Sequence, residues 1–126
     1  DVADALETLA GGPKLALWLT FGDAGRLLDD GLAELPVDAI GVDFYATHLR
    51  DVPAGLGGKK LLAGVIDSRS SALEDPQEIA GFAAQLQVEE IALVPNGDLQ
   101  YVSEPIAREK LGRLGKATTA TAEVAA

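Results

Sequence analysis

The sequence predicts an α/β protein built from four consecutive βα units on a parallel sheet, about half of a TIM-type (β/α)8 barrel. Three observations predict it. Four short, nearly continuous apolar runs recur along the chain, turn residues bound each run, and segments with helical spacing of apolar residues stand between them.

In chain order, Asp1 to Ala10 places Val2, Ala5, Leu6 and Leu9 at helical spacing, and Gly11-Gly12-Pro13 stops that helix. Lys14 to Thr20 (KLALWLT) is then a strand-length apolar run, the pattern of a strand buried on both faces of a parallel sheet. The same pattern returns in Ala39 to Phe44 (AIGVDF), Leu61 to Ile66 (LLAGVI) and Ile91 to Val94 (IALV). Ala24 to Leu35 sets Leu27, Leu28, Leu32 and Leu35 on one helical side, and Pro36 ends it. Ser71 to Leu86 contains Asp75-Pro76, a cap and first-turn pair, followed by Ile79, Phe82, Ala83 and Leu86 along one face. Pro53, Gly55, Gly57 and Gly58 leave the connection from Thr47 to Lys60 room only for a short helix around His48 to Val52. Val102 to Leu114 predicts a last helix, capped by Ser103, with Pro105 in its first turn and Ile106, Lys110 and Leu114 at four-residue steps. Residues 1–115 thus form the folded segment. Residues 116–126 (KATTATAEVAA) have little to bury and are expected as a frayed helix or a flexible tail.

This order implies parallel strands joined by right-handed crossovers. A closed eight-stranded barrel takes roughly 250 residues, and four strands leave two open edges that need cover or partners. Two arrangements meet that need: a doubly wound open sheet, or a half-barrel completed by another segment or a second copy. The half-barrel implies a dimer or larger assembly.

The charge balance narrows the function classes. Twenty acidic against ten basic residues give −10, a field that repels nucleic-acid phosphates and anionic membrane surfaces. No apolar run is long enough to span a membrane and the N-terminus is acidic, so neither a spanning helix nor a signal peptide is expected, and the cytoplasm is the default compartment. The absence of cysteine removes thiol nucleophiles, disulfides and thiolate metal ligands.

In parallel α/β folds ligands collect beyond the carboxyl ends of the strands. All four exits are polar here: Thr20-Phe21-Gly22-Asp23, Asp43-Phe44-Tyr45, Asp67-Ser68-Arg69-Ser70 and Asn96-Gly97-Asp98. Carboxylates converging on one rim repel one another, which calls for a cation, an amine or a hydroxyl ligand between them. Thr20, Asp23, Asp43, Asp67, Ser70, Asn96 and Asp98 are the candidate substrate-binding residues. Each also suits a turn or helix cap with no further role. One histidine and no cysteine make a zinc site improbable, and His48 suits a solvated loop; magnesium held by Asp43, Asp67 and Asp98 has no motif behind it. Thr20 to Gly25 lacks the glycine fingerprint and the lysine of a nucleotide-binding loop. Trp18 and Phe21 suit core packing more than ligand stacking.

The segments LWLTFGDAGRLLDDGLAELPVDAIGVDFYA, LLAGVIDSRSSALEDPQEIA and IALVPNGDL resemble the cobalamin-independent methionine synthase family. The resemblance covers about residues 14–115. Its most specific pieces are Gly64-Val65-Ile66-Asp67 with Ser70, Glu74-Asp75-Pro76-Gln77-Glu78-Ile79-Ala80, and Val94-Pro95-Asn96-Gly97-Asp98-Leu99. It implies strands five to eight of one barrel and a role in methyl transfer from methyltetrahydrofolate to homocysteine. The family's zinc ligands, carried over by position, fall on Trp18, Thr20, Asp43 and Gly97, of which only Asp43 could ligate a metal. The resemblance is therefore to the family's zinc-free N-terminal domain: no cofactor in this chain, zinc in a partner domain, and pairing with a complementary half-barrel or a second copy. Asp67 and Ser70 match the family motif and are expected to contact an amino-acid or pterin-like ligand. A non-catalytic assembly or regulatory module, and another barrel enzyme using the Asp rim with a divalent cation, remain open as alternatives.

Overall fold

Residues 1–125 are described by a computed structural model in which four parallel strands lie side by side in chain order: β1 (Ala16–Leu19), β2 (Ala39–Asp43), β3 (Lys60–Ile66) and β4 (Ile91–Pro95). Every crossover moves in the same direction, so right-handed connections carry the helices between the strands to one face. A doubly wound sheet would reverse direction partway and place helices on both faces. The arrangement is thus half of a barrel.

Strand alternation gives the two faces different tasks. Ile40, Val42, Leu61, Ala63 and Val65 are buried in one cluster with Leu28 of α2 (Gly25–Asp29), Ile79 and Ala83 of α3 (Pro76–Ala83), and Leu114 and Ala117 of α4 (Glu104–Ala125). The opposite, concave face carries Trp18, Gly41, Asp43, Leu62, Gly64, Ala92 and Val94 in register across the strands. Small residues there let neighbours approach. A Cβ at Gly64 would stand 2.8 Å from the Val42 carbonyl oxygen and 3.1 Å from the Asn96 Cα.

Four elements depart from the sequence expectation, each for a local reason. The KLALWLT run forms an edge strand with alternating exposure, because among the described residues no strand lies beyond β1 to cover it. Trp18 packs across Gly41 yet stays 37% exposed, so it is not a core residue of this chain alone. The helix expected over Ala24 to Leu35 divides into α2 and a 3-10 turn (Leu32–Glu34), because Gly31 takes a left-handed φ of 97° between them. The third α-helix is shorter than Ser71 to Leu86 and starts where expected, with Asp75 accepting from the Gln77 amide.

The fourth departure concerns the expected tail. α4 runs on through Lys116 to Ala125, and Ala117 is fully buried, because the chain passes over α3 and finds apolar surface there. Among the described residues no helix is long and apolar enough to cross a membrane. The short α1 (Val2–Glu7), with Asp1 and Asp4 in a capping box, buries none of its residues.

Gly64→Ala tests the strand packing at the site. The new methyl has to displace backbone, so unfolding free energy should fall by about 1–3 kcal/mol, read from urea denaturation. An unchanged midpoint would mean that the β2–β4 approach is looser than described.

Candidate functional site

The carboxyl ends of the strands are joined by side chains from each exit. Asp43 closes β2 and is only 2% exposed. Its Oδ1 accepts from the Tyr45 amide at 2.9 Å and from Asn96 Nδ2 at 3.2 Å. Asn96, also buried, accepts at Oδ1 from the Ser68 amide and the Ser68 hydroxyl, each at 2.9 Å. One amide side chain thereby fastens the β2, β3 and β4 exits together. The Asp43 Oδ2 atom is buried without a hydrogen-bond partner among the described residues, and a buried carboxylate oxygen calls for a donor.

The β1 exit joins through Thr47, whose hydroxyl oxygen accepts from the Ala24 amide at 2.8 Å. Phe21 takes a left-handed φ of 56°, unusual for a bulky residue. Its ring seats against Gly97, where a Cβ would have no room, and lies 4.1 Å below the Arg69 guanidinium carbon. An edge contact to Tyr101, centroids 6.3 Å apart, completes this bridge between the β1, β3 and β4 exits. The ring therefore spans the rim and is not part of the core.

A second network holds the β3 exit. Glu74 Oε2 accepts from the Asp67 amide at 2.7 Å and the Tyr45 hydroxyl at 2.9 Å. Its Oε1 accepts from Lys110 Nζ at 2.8 Å. Burial alone would raise the Glu74 pKa. The donors from Lys110, Asp67 and Tyr45 together outweigh that and hold it below its usual 4.5. Burial, reinforced by the Glu74 and Asp67 carboxylates, pushes the Tyr45 phenol well above its usual 10.0.

The sequence candidates divide in three. Asp43 and Asn96 meet directly and are buried. Asp23 Oδ1 accepts from the Gly25 amide, Asp67 Oδ1 from the Arg69 amide, Ser70 Oγ from the Ala72 amide and Asp98 Oδ1 from the Gln100 amide, so each closes a local turn. Thr20 is exposed at the end of the edge strand, and His48 is an exposed loop residue. Sequence reasoning passed over Ser68, Tyr45, Glu74 and Lys110. One sign was visible: Lys110 stands in an otherwise apolar stripe with Ile106 and Leu114, where a lysine must find an acceptor.

Zinc does not fit these residues. Trp18, Thr20 and Gly97 offer no ligand to accompany Asp43, and among the described residues no three His, Cys, Asp or Glu side chains group to hold a metal.

No protein-family model matches the chain. It is 40% identical over 88 residues to a 5-methyltetrahydropteroyltriglutamate--homocysteine methyltransferase of Mycobacterium tuberculosis, a match covering 68% of this chain and 11% of that protein. It is 37% identical over 97 residues to the protein of the same name from Mycobacterium leprae, covering 69% and 12% respectively. The chain thus spans about a tenth of the length of these curated relatives. In fold it matches a B12-independent methionine synthase from Shewanella sp. W3-18-1, solved in complex with selenomethionine, with a TM-score of 0.72 at 19% identity. That match covers 98% of this chain and 43% of the other.

The two shifted groups set the pH limits of the rim. Glu74, with its folded pKa lowered, contributes stability above its usual 4.5 that is lost as pH falls through the folded value. Tyr45, with its folded pKa raised, contributes stability below its usual 10.0 that is lost as pH rises through the folded value. In urea titrations across pH, Glu74→Gln should flatten the acid-side loss and Tyr45→Phe the alkaline loss. Parallel profiles for both variants and the parent would contradict the assignment.

Proposed function

Taking the chain as a relative of the cobalamin-independent methionine synthases, we propose that it supplies half of a barrel, strands five to eight, to methyl transfer from methyltetrahydrofolate to homocysteine in the cytoplasm. The observation that carries this reading is the buried Asp43 Oδ2, without a hydrogen-bond partner among the described residues at the carboxyl end of β2, where the sequence resemblance sets one of the family's metal ligands. With no further zinc ligand beside it, Asp43 serves as an acceptor for a donor group on the substrate, an ammonium or a ring N–H. Asn96 and Ser68 hold that carboxylate in place, and Asp67 and Ser70 stand on the adjoining loop to contact the rest of the ligand. Sulfur activation belongs to a zinc-bearing domain outside this chain, since nothing among the residues described here lowers a thiol pKa.

The open edges of β1 and β4 support the rest of the proposal. Four complementary βα units, in another part of a longer protein or in another chain, would pair with both edges and cover the concave face. The missing zinc ligands favour one other reading, a non-catalytic assembly module that keeps the barrel's architecture.

Calorimetry separates these readings. With the complementary half present, the chain should release or take up heat with L-homocysteine or a polyglutamyl methyltetrahydrofolate, and Asp43→Ala should weaken binding by roughly tenfold or more, the cost of a lost charged hydrogen bond. No heat with either ligand would support the assembly module. Heat with magnesium alone would support a different barrel enzyme that uses the Asp rim with a divalent cation.

A further inference from the structure

Lys110 is the largest fully buried side chain among the described residues, and it lies on α4, away from the strand exits in sequence. Its Nζ donates to the Ala72 carbonyl at 2.6 Å and to Glu74 Oε1 at 2.8 Å. One turn further along, Arg113 donates to the Glu74 backbone carbonyl at 2.9 Å, so α4 grips this one residue at its side chain and its main chain. Glu74 in turn uses its other carboxylate oxygen to hold the Asp67 amide and the Tyr45 hydroxyl.

Interior packing alone does not account for this arrangement. A buried ion pair is often no more stable than two apolar side chains of the same volume, because both charges must be stripped of water. The Lys110–Glu74 pair is therefore a costly way to fill space between α4 and the β3 exit. Its geometry does what apolar packing could not: it presents an acceptor oxygen to a backbone amide at the start of the loop that carries Asp67, Arg69 and Ser70, and to the phenol of the neighbouring exit.

We propose that Lys110 is a positioning residue which, through Glu74, fixes the β3-exit loop and its Asp67 against Tyr45, so that the seating of α4 sets the shape of the ligand-facing rim. The proposal deepens the reading of that rim as a binding face, yet its geometric part stands without it. A change that lifts α4 releases Glu74, and the Asp67 amide and Tyr45 hydroxyl then lose their common acceptor. The rim would loosen while β2 and β3 remain paired.

Amide hydrogen exchange followed by NMR tests this on the intact chain without any ligand. In the parent protein the Asp67 amide should be protected although it lies outside β3; exchange at the rate of an open loop would overturn the proposal at once. Lys110→Met should speed exchange at Asp67 and through Ala72 by roughly tenfold or more beyond any change at Val42 and Ala63 of the strands. The double variant Glu74→Leu with Lys110→Met restores an uncharged, packed contact and keeps the fold if the single variant does not. It should retain the parent melting temperature and still show fast exchange at Asp67. Protection at Asp67 equal to the parent in that variant, or a loss spread evenly over strands and loop, would show that the pair only fills the interior. Homocysteine titration of the same proteins separates this proposal from the functional reading. Parent protein that fails to bind homocysteine with the complementary half present, while exchange behaves as expected, would count against the ligand and leave the clamp supported.

Discussion

The hydrogen-bonded link from Asp43 through Asn96 to Ser68 is the interaction on which the rim depends. It joins the β2, β3 and β4 exits within one buried cluster, and it forms only because Gly64 has no side chain to keep Asn96 away from β3. A buried carboxylate is expensive unless donors surround it. Here two donors serve one oxygen and, among the described residues, none serves the other. The folding chemistry of the strand ends thus leaves an acceptor in place, and the proposed binding role grows out of that remainder.

A second layer acts at longer range. The Lys110–Glu74 pair carries the influence of α4 to the β3 exit, and the Phe21 ring carries that of β1 to β4. Every exit is consequently tied to at least one other. The carboxylates of Asp23, Asp67 and Asp98 close their own turns, so the acidic rim is less a cluster of free charges than a row of braced loops around one buried acceptor.

Much of this was legible in the sequence. Four apolar runs separated by helical spacing marked β1 to β4, and Asp75-Pro76 marked the start of α3, because those patterns are imposed by local geometry. The resemblance carried by GVID, EDPQEIA and VPNGDL fits the sequence relatives and the fold match. What escaped depends on contacts distant in the chain. The exposure of β1 follows from its place at the sheet edge, which its own residues do not record. The break at Gly31 needed a specific φ, and the continuation of α4 past Lys116 needed the surface of α3 beneath it. Ser68 and Glu74 sat inside quoted motifs but showed their roles only once Asn96 and Lys110 were brought to them.

In the proposed arrangement the concave face and the two edges belong to a barrel completed by four further units. Trp18 reports on it directly, being the chain's one tryptophan, 37% exposed on the edge strand of that face. Mixing the chain with the complementary four-unit half of a curated relative and following tryptophan emission, in a tryptophan-free version of that half, is the decisive measurement. A shift to shorter wavelength that saturates at one-to-one stoichiometry is expected as Trp18 is covered. Emission unchanged at saturating partner, with the chain still monomeric by light scattering, would contradict it.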